Sequence, residues 1–289
     1  MALGCTNKAF QIPMTEHLTL RFRPLDGRTD GTLVLLANNE LGLGAVGRSL
    51  DKKSGGHLTR AAKACAFDGS RKAIADVLAP AGLDADRVLL AGTGTGGKLE
   101  QRELIDLGGT LGGALLSRKI TAAAIVAETG AGPLDAHETA DLALGALLRS
   151  YSFKKYRTKC GEGGQAPGRR GAATLTVLCK APDAVEAQFV SRRGLAEGVF
   201  LARDLVNEPA NALGPVEFAE RAVRLTEMGV EVKVLGVPEL EEEGMKALLA
   251  VGQGSVRPSR LVVMQWLGAD SRKAKPIAFV GKGVVFDTG

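Results

Sequence analysis

The sequence predicts an α/β protein of two sheet-containing domains, joined by a helix and built on largely parallel or mixed sheets. Three observations lead there. Strand-like and helix-like stretches alternate through the first half. One uninterrupted helical stretch, bounded by prolines, then begins near residue 182. Beyond Pro209 the strand–helix alternation resumes. The expected division is residues 1–181 for the first domain, 182–208 for a connecting helix and 209–289 for a second domain.

Alternating or leucine- and valine-rich runs mark strands at "HLTLRFR", "TLVLLAN", "DRVLLAG", "TAAAIVAE" and "ATLTVLCK". Apolar positions at helical spacing mark "KLEQRELIDLGGTLGGALLSRK" and "LDAHETADLALGALLRSYS". "GSRKAIADVLAPAG" reads as a hairpin crossover rather than a helix. Pro182 and Asp183 suit the start of the long helix, because proline loses no amide bond in a first turn and aspartate accepts from the free amides there. Pro209 stops it. After it come a helix at "PVEFAERAVRLTEM", a strand at "VEVKVLG", a helix around "ELEEEGMKALLAVGQGS", a strand at "RLVVMQWLG" and a final strand at "PIAFVG".

Composition narrows the function. With 45% apolar and 24% charged residues, the 289-residue chain has the balance of a soluble globular protein. No window reaches the roughly eighteen apolar residues of a membrane span, and the N-terminus lacks a signal-peptide core, so no membrane partner and a cytoplasmic location are expected. Cys5, Cys65, Cys160 and Cys179 show no C-x-x-C spacing, which fits reduced, unpaired thiols. The three histidines form no H-E-x-x-H, so any metal must be held mostly by other ligands.

Two glycine patterns are read as decoys. Gly92, Gly97 and Lys98 satisfy G-x-x-x-x-G-K, but Leu99 stands where a magnesium-binding hydroxyl is needed. Gly92, Gly94 and Gly97 also satisfy G-x-G-x-x-G, yet the strand-end acid, Glu128, lies well beyond the spacing of about 20 residues expected for a ribose ligand. A tight turn entering a helix accounts for them. The basic stretch containing Lys154, Lys155, Arg157, Lys159, Arg169 and Arg170 reads as a solvated loop, with a phosphate-binding patch as its functional alternative.

The stretch "PIAFVGKGVVFDTG" carries the sharper chemistry. A lysine at the end of a buried strand is costly to keep charged, and a neutral amine can instead ligate a divalent ion. A carboxylate nearby can bind the same ion and share a second. Lys282 and Asp287 are the candidate metal ligands, with Gly281 and Gly283 letting the backbone turn closely around them, although spacing alone favours the alternative of an exposed lysine and an aspartate ending a strand.

"VGKGVVFDTG" resembles the signature of the leucyl aminopeptidase family of dinuclear metallopeptidases, with Val285 in place of the usual threonine. "ARDLVNEPANALGPVEFAERA", "GMKALLAVGQGSVRPSRLVVMQW" and "LGALLRSYSFKKYRT" are similar to further segments of that family. The likeness runs from the first strands to the last residue and is strongest after Arg203. It implies a macrodomain-like N-terminal domain joined by a helix to a catalytic α/β domain. It also implies removal of N-terminal residues from peptides, leucine among the favoured ones, with two divalent ions, Mn or Zn, and assembly as a hexamer. Lys282 would ligate one ion and Asp287 both.

The family also uses a second lysine soon after the position of Asp287, a further aspartate and an N-T-D-A-E-G-R segment, none of which is present. The chain is thus expected to be C-terminally truncated relative to the family, with the catalytic residues lying beyond Gly289, and to be inactive by itself. The alternative is a non-catalytic protein that holds nucleic acid or a nucleotide-type ligand through its N-terminal domain and basic loop. Asn207, Pro209 and Asn211 are expected to be structural, ending the connecting helix.

Overall fold

The computed structural model describes residues 18–25, 31–156, 173–269 and 275–285. Its strands and helices, in chain order, are β1 (Thr19–Pro24), β2 (Gly31–Ala37), α1 (Ala45–Lys53), α2 (His57–Ala64), β3 (Ile74–Leu78), β4 (Ala85–Gly92), α3 (Gln101–Ser117), β5 (Ala122–Val126), the two-residue strands β6 (Glu128–Thr129) and β7 (Gly132–Pro133), α4 (Ala136–Arg149), β8 (Thr174–Cys179) and α5 (Pro182–Asn207). There follow α6 (Pro215–Val223), a 3-10 turn (Arg224–Met228), β9 (Glu231–Leu235), α7 (Val237–Glu242), α8 (Lys246–Gly252) and β10 (Leu261–Gln265). The described residues divide into two compact units, one up to Leu201 and one from Ala202, so the division falls within α5.

The first unit is built on a six-stranded sheet of order β1-β8-β5-β2-β4-β3. All its pairings are parallel except β3 with β4, so the sheet is mixed. The period-2 alternation of a strand decides which layer each residue joins. On β2, Val34 and Leu36 pack with Leu104, Leu111, Leu142 and Phe189 from the α3, α4 and α5 side. Leu33, Leu35 and Ala37 pack with Leu50 and Leu58 from the α1 and α2 side. Both faces are covered, which is why β2 and β4 read as continuous apolar runs. Each fully buried leucine contributes about 1.5–3 kcal/mol.

Helices α3 and α4 approach until backbone meets backbone. A methyl group added at Gly108 would run into the carbonyl oxygen of Leu142, and one at Gly145 into that of Ile105. The second contact on this layer is ionic. Asp141 of α4, buried, accepts from Nε of Arg192 on α5 at 3.0 Å and from Nε2 of Gln101 at 3.3 Å. At the other edge of the sheet, Asp76 of β3 accepts from Nε of Arg118 at 2.8 Å with Nε of Arg87 3.1 Å away, an inward charge cluster of the kind that blunts an edge strand.

The "GSRKAIADVLAPAG" stretch, expected as a hairpin crossover, holds β3, which makes an antiparallel hairpin with β4. Other elements depart from the sequence expectation. Helices α1 and α2 carry no expectation at all. The helix expected around residues 239–255 is two, broken at Gly244, whose φ is 69°. The helix expected over 215–228 tightens into a 3-10 turn from Arg224.

In the second unit β9 and β10 pair antiparallel, and α6 packs near both. The expected final strand "PIAFVG" is not one: residues 276–281 carry no regular structure, and Ile277, Phe279 and Val280 are 82%, 94% and 99% exposed. A strand exists by pairing its amides and carbonyls, and no ladder partner lies against this run among the described residues. Trp266, the single tryptophan, follows β10 with its ring near Gly229 and is largely exposed.

Two outcomes follow for the first unit, both read from hydrogen exchange of the β5 and β8 amides. Arg192→Met strands the buried Asp141 charge and lowers stability by about 3–5 kcal/mol, and adding Asp141→Leu restores most of the loss. Gly145→Val overpacks the α3–α4 contact and costs about 1–3 kcal/mol or more; unchanged exchange would mean the two backbones are not in contact.

Candidate functional site

The two candidate ligands do not form a measurable pair. Lys282 lies in the irregular 275–285 segment with its side chain exposed, and a methyl group built on Gly281 or Gly283 meets no other atom within 4 Å. Lys282 is thus exposed rather than buried at a strand end, and no strand covers this run among the described residues. Asp287 lies outside the described residues. Among the described residues no group of three or more His, Cys, Asp or Glu is gathered to hold a metal ion. Lys282 offers a single donor, whereas even one zinc takes three or four protein donors.

The segment that precedes it in the second unit is better ordered. After α5 ends at Asn207, the Pro209 carbonyl accepts from Ala212 N and Leu213 N, both at 2.9 Å, and Leu213 is buried. Arg257, from the turn before β10, closes the loop: Nη1 donates to the Ala210 carbonyl at 3.0 Å and Nη2 to that of Asn211 at 3.1 Å. Its Nη1 also lies 3.5 Å from Oε2 of Glu217, which accepts from the amide of Gly214 at 3.0 Å and so starts α6. The hydrogen bond from its own backbone amide, followed by that from Gly214 and the charge of Arg257, holds the Glu217 carboxyl below its ordinary value against the opposing effect of desolvation. Nothing in the sequence ties Arg257 to residues 46 and 47 positions earlier. The only signal was an arginine in a turn beside Pro258.

In the first unit the glycine patterns resolve as structure. A side chain on Gly92 would strike the carbonyl oxygen of Ser70, so this glycine is required by a neighbouring loop and not by a phosphate. Lys98 pairs with Glu138 at 3.3 Å. The turn leads into α3 through a capping box in which Glu103 accepts from Glu100 N at 3.0 Å. Glu128 is 3% exposed and its Oε1 accepts from the amides of Val46 at 2.5 Å and Gly47 at 3.3 Å. The first amides of α1 thus already hold an anion, which works against a nucleotide phosphate there.

Of the basic stretch, Lys154 and Lys155 are exposed, with Lys155 Nζ 5.4 Å from the Tyr156 ring centre, and Arg157, Lys159, Arg169 and Arg170 lie outside the described residues. Cys65 and Cys179 are free thiols, and burial pushes the Cys179 thiol up. Among the described residues no helix is long and apolar enough to cross a membrane.

Comparison with known proteins adds what the geometry leaves open. The family model for the N-terminal domain of the cytosol aminopeptidase family matches residues 33–160, and that for its catalytic domain matches residues 200–289. A probable cytosol aminopeptidase of Chelativorans sp. (strain BNC1) is 43% identical over 277 residues, covering 96% of this chain and 54% of that one. A probable cytosol aminopeptidase of Agrobacterium fabrum (strain C58) is 46% identical over 257 residues, covering 89% and 50%. The chain spans about half the length of these curated relatives. Among solved structures, a tomato leucine aminopeptidase mutant superposes with a TM-score of 0.69 at 19% identity, covering 85% of this chain and 50% of the other. The bottromycin maturation enzyme BotP in complex with Mn gives 0.60 at 23% identity, covering 82% and 45%. At these identities the two structures speak for the fold alone.

The clamp on Glu217 has a definite pH sign. A depressed carboxyl keeps its contacts above the ordinary glutamate range and loses them as pH falls through the lowered value. The Gly214 amide resonance is expected to titrate below the ordinary glutamate range, and Arg257→Gln is expected to raise that midpoint. A midpoint at or above the ordinary range would remove the clamp from the account.

Proposed function

This chain belongs to the cytosol aminopeptidase family, and from that premise we propose that the whole-length protein is a metalloaminopeptidase that hydrolyses the first peptide bond of peptides, leucine being a favoured N-terminal residue. The observation that carries the reading is the order of the two matches: the N-terminal domain over 33–160, then the catalytic domain over 200–289, ending on the "VGKGVVFDTG" signature. Curated relatives above 40% identity over nearly all of this chain support it.

In this reading Lys282 and Asp287 are two of the ligands of a pair of divalent ions, Mn or Zn. Such ions supply Lewis acidity and a metal-activated nucleophile when bound. Two protein donors do not complete a pair of sites, so the 289-residue chain alone is proposed to be inactive. Domain limits of 1–181, 182–208 and 209–289, assembly as a hexamer and a cytoplasmic location belong to the same proposal.

A chimera tests both parts. Residues 1–289 are joined to the remaining half of the Chelativorans relative and assayed on leucine p-nitroanilide with Mn, beside the 289-residue chain. The chimera is expected to turn over and the chain alone is not. Lys282→Ala or Asp287→Ala in the chimera is expected to lower turnover by at least about a hundredfold, the upper end of what outer-shell partners of a metal contribute. Full activity of either variant removes that residue from the ligand set, and turnover by the chain alone refutes its proposed inactivity.

A further inference from the structure

A recess of about 350 Å³ opens in the first unit between the loop that follows β2, the turn joining β6 and β7, and the facing sides of α1 and α2. It stands at the carboxyl ends of parallel strands, where the chain runs from β2 to one side of the sheet and returns from β4 to the other. Open α/β sheets bind ligands at such switch points, and the volume lies at the lower end for small-molecule sites.

The lining carries both signs of charge. Arg48 and Lys52, one helical turn apart on α1, both face the recess. Arg48 is anchored by one bond, Nη1 to the Leu43 carbonyl at 2.6 Å, and neither cation pairs with a carboxylate among the described residues. Asp51 lies between them in sequence and lines the same space. Its two oxygens accept from Thr59 N at 3.0 Å and Thr59 Oγ1 at 2.5 Å, which fix its orientation without neutralising it. Asn38 spends its oxygen on the amides of Glu40 and Gly42, at 3.0 and 2.6 Å, which leaves its amide nitrogen as a donor. Leu41 and Leu43 add an apolar wall.

We propose that this recess binds a free α-amino acid with an apolar side chain, its carboxylate on Arg48, Lys52 and the Asn38 amide, its ammonium on Asp51, and its side chain against Leu41 and Leu43. Sign decides the ligand class. A polyanion such as a nucleotide phosphate would face Asp51, whereas a simple cation would face two positive side chains. A zwitterion meets both, and each charged end finds a charge-assisted partner. The products of the peptidase reaction proposed above belong to this class, but the site stands on its own lining, and its test reads binding rather than turnover.

The test is a titration of the full 289-residue chain by ¹H–¹⁵N NMR with L-leucine, and in parallel with L-leucinamide, N-acetyl-L-leucine and inorganic phosphate. L-Leucine is expected to give saturable shifts at the amides of Leu41, Gly42, Lys52 and Gly130. Leucinamide, which lacks the carboxylate, and N-acetyl-leucine, which lacks the ammonium, are each expected to bind about tenfold more weakly or worse, as is L-leucine to Arg48→Gln or Lys52→Gln chains. The proposal is overturned if L-leucine gives no saturable shift, if its shifts are confined to residues 202–269, if phosphate binds as tightly, or if neither substitution weakens it.

Discussion

The carboxylate of Glu128 is the contact around which the first unit is arranged. Glu128 opens β6, two residues past the end of β5, and its side chain sits, buried, on the first amides of α1. A helix begins with amides that no earlier carbonyl can satisfy, and burying them unpaired is costly. Gly44, at the N-cap, offers no side chain, so the oxygen comes from a residue more than eighty positions away. Those two bonds fix α1 against the sheet, set the faces of Arg48, Asp51 and Lys52, and occupy the amides that a phosphate would otherwise take.

The same contact explains what the sequence could and could not say. Helix α4 is legible because its cap is local: Asp135 accepts from Glu138 N at 2.8 Å, and Glu138 returns the bond. Helix α1 is not, since its cap is contributed by another strand, and α2 follows the pair Gly55 and Gly56 with no side-chain cap at all. β2, β4, β5 and β8 are legible because strands buried on both faces are apolar throughout. β3 is harder to read because Asp76 and an exposed Leu78 break its pattern. Of the candidate site, the identity of the words was legible, while the loop clamp of Arg257 depends on two segments meeting and leaves no periodic trace.

The terminal segment shows the limit of pattern from the other side. "PIAFVG" has the composition of an interior strand, yet hydrophobicity records only that a run prefers cover, not what covers it. In this structure Phe279 and Val280 face water, and Lys282 with them. Family membership and local geometry thus answer different questions. The first rests on two ordered matches along the chain, and the second describes an exposed lysine in a segment without regular structure.

Trp266 gives the molecule an optical asymmetry. The chain's only indole follows β10, whereas both tyrosines, Tyr151 and Tyr156, lie before Leu201. Light absorbed beyond the phenol band therefore excites a single chromophore in the second unit, and its emission colour and quenching speak for that unit alone. The six-stranded sheet is dark at those wavelengths, so the two halves can be followed separately in one cuvette without any label.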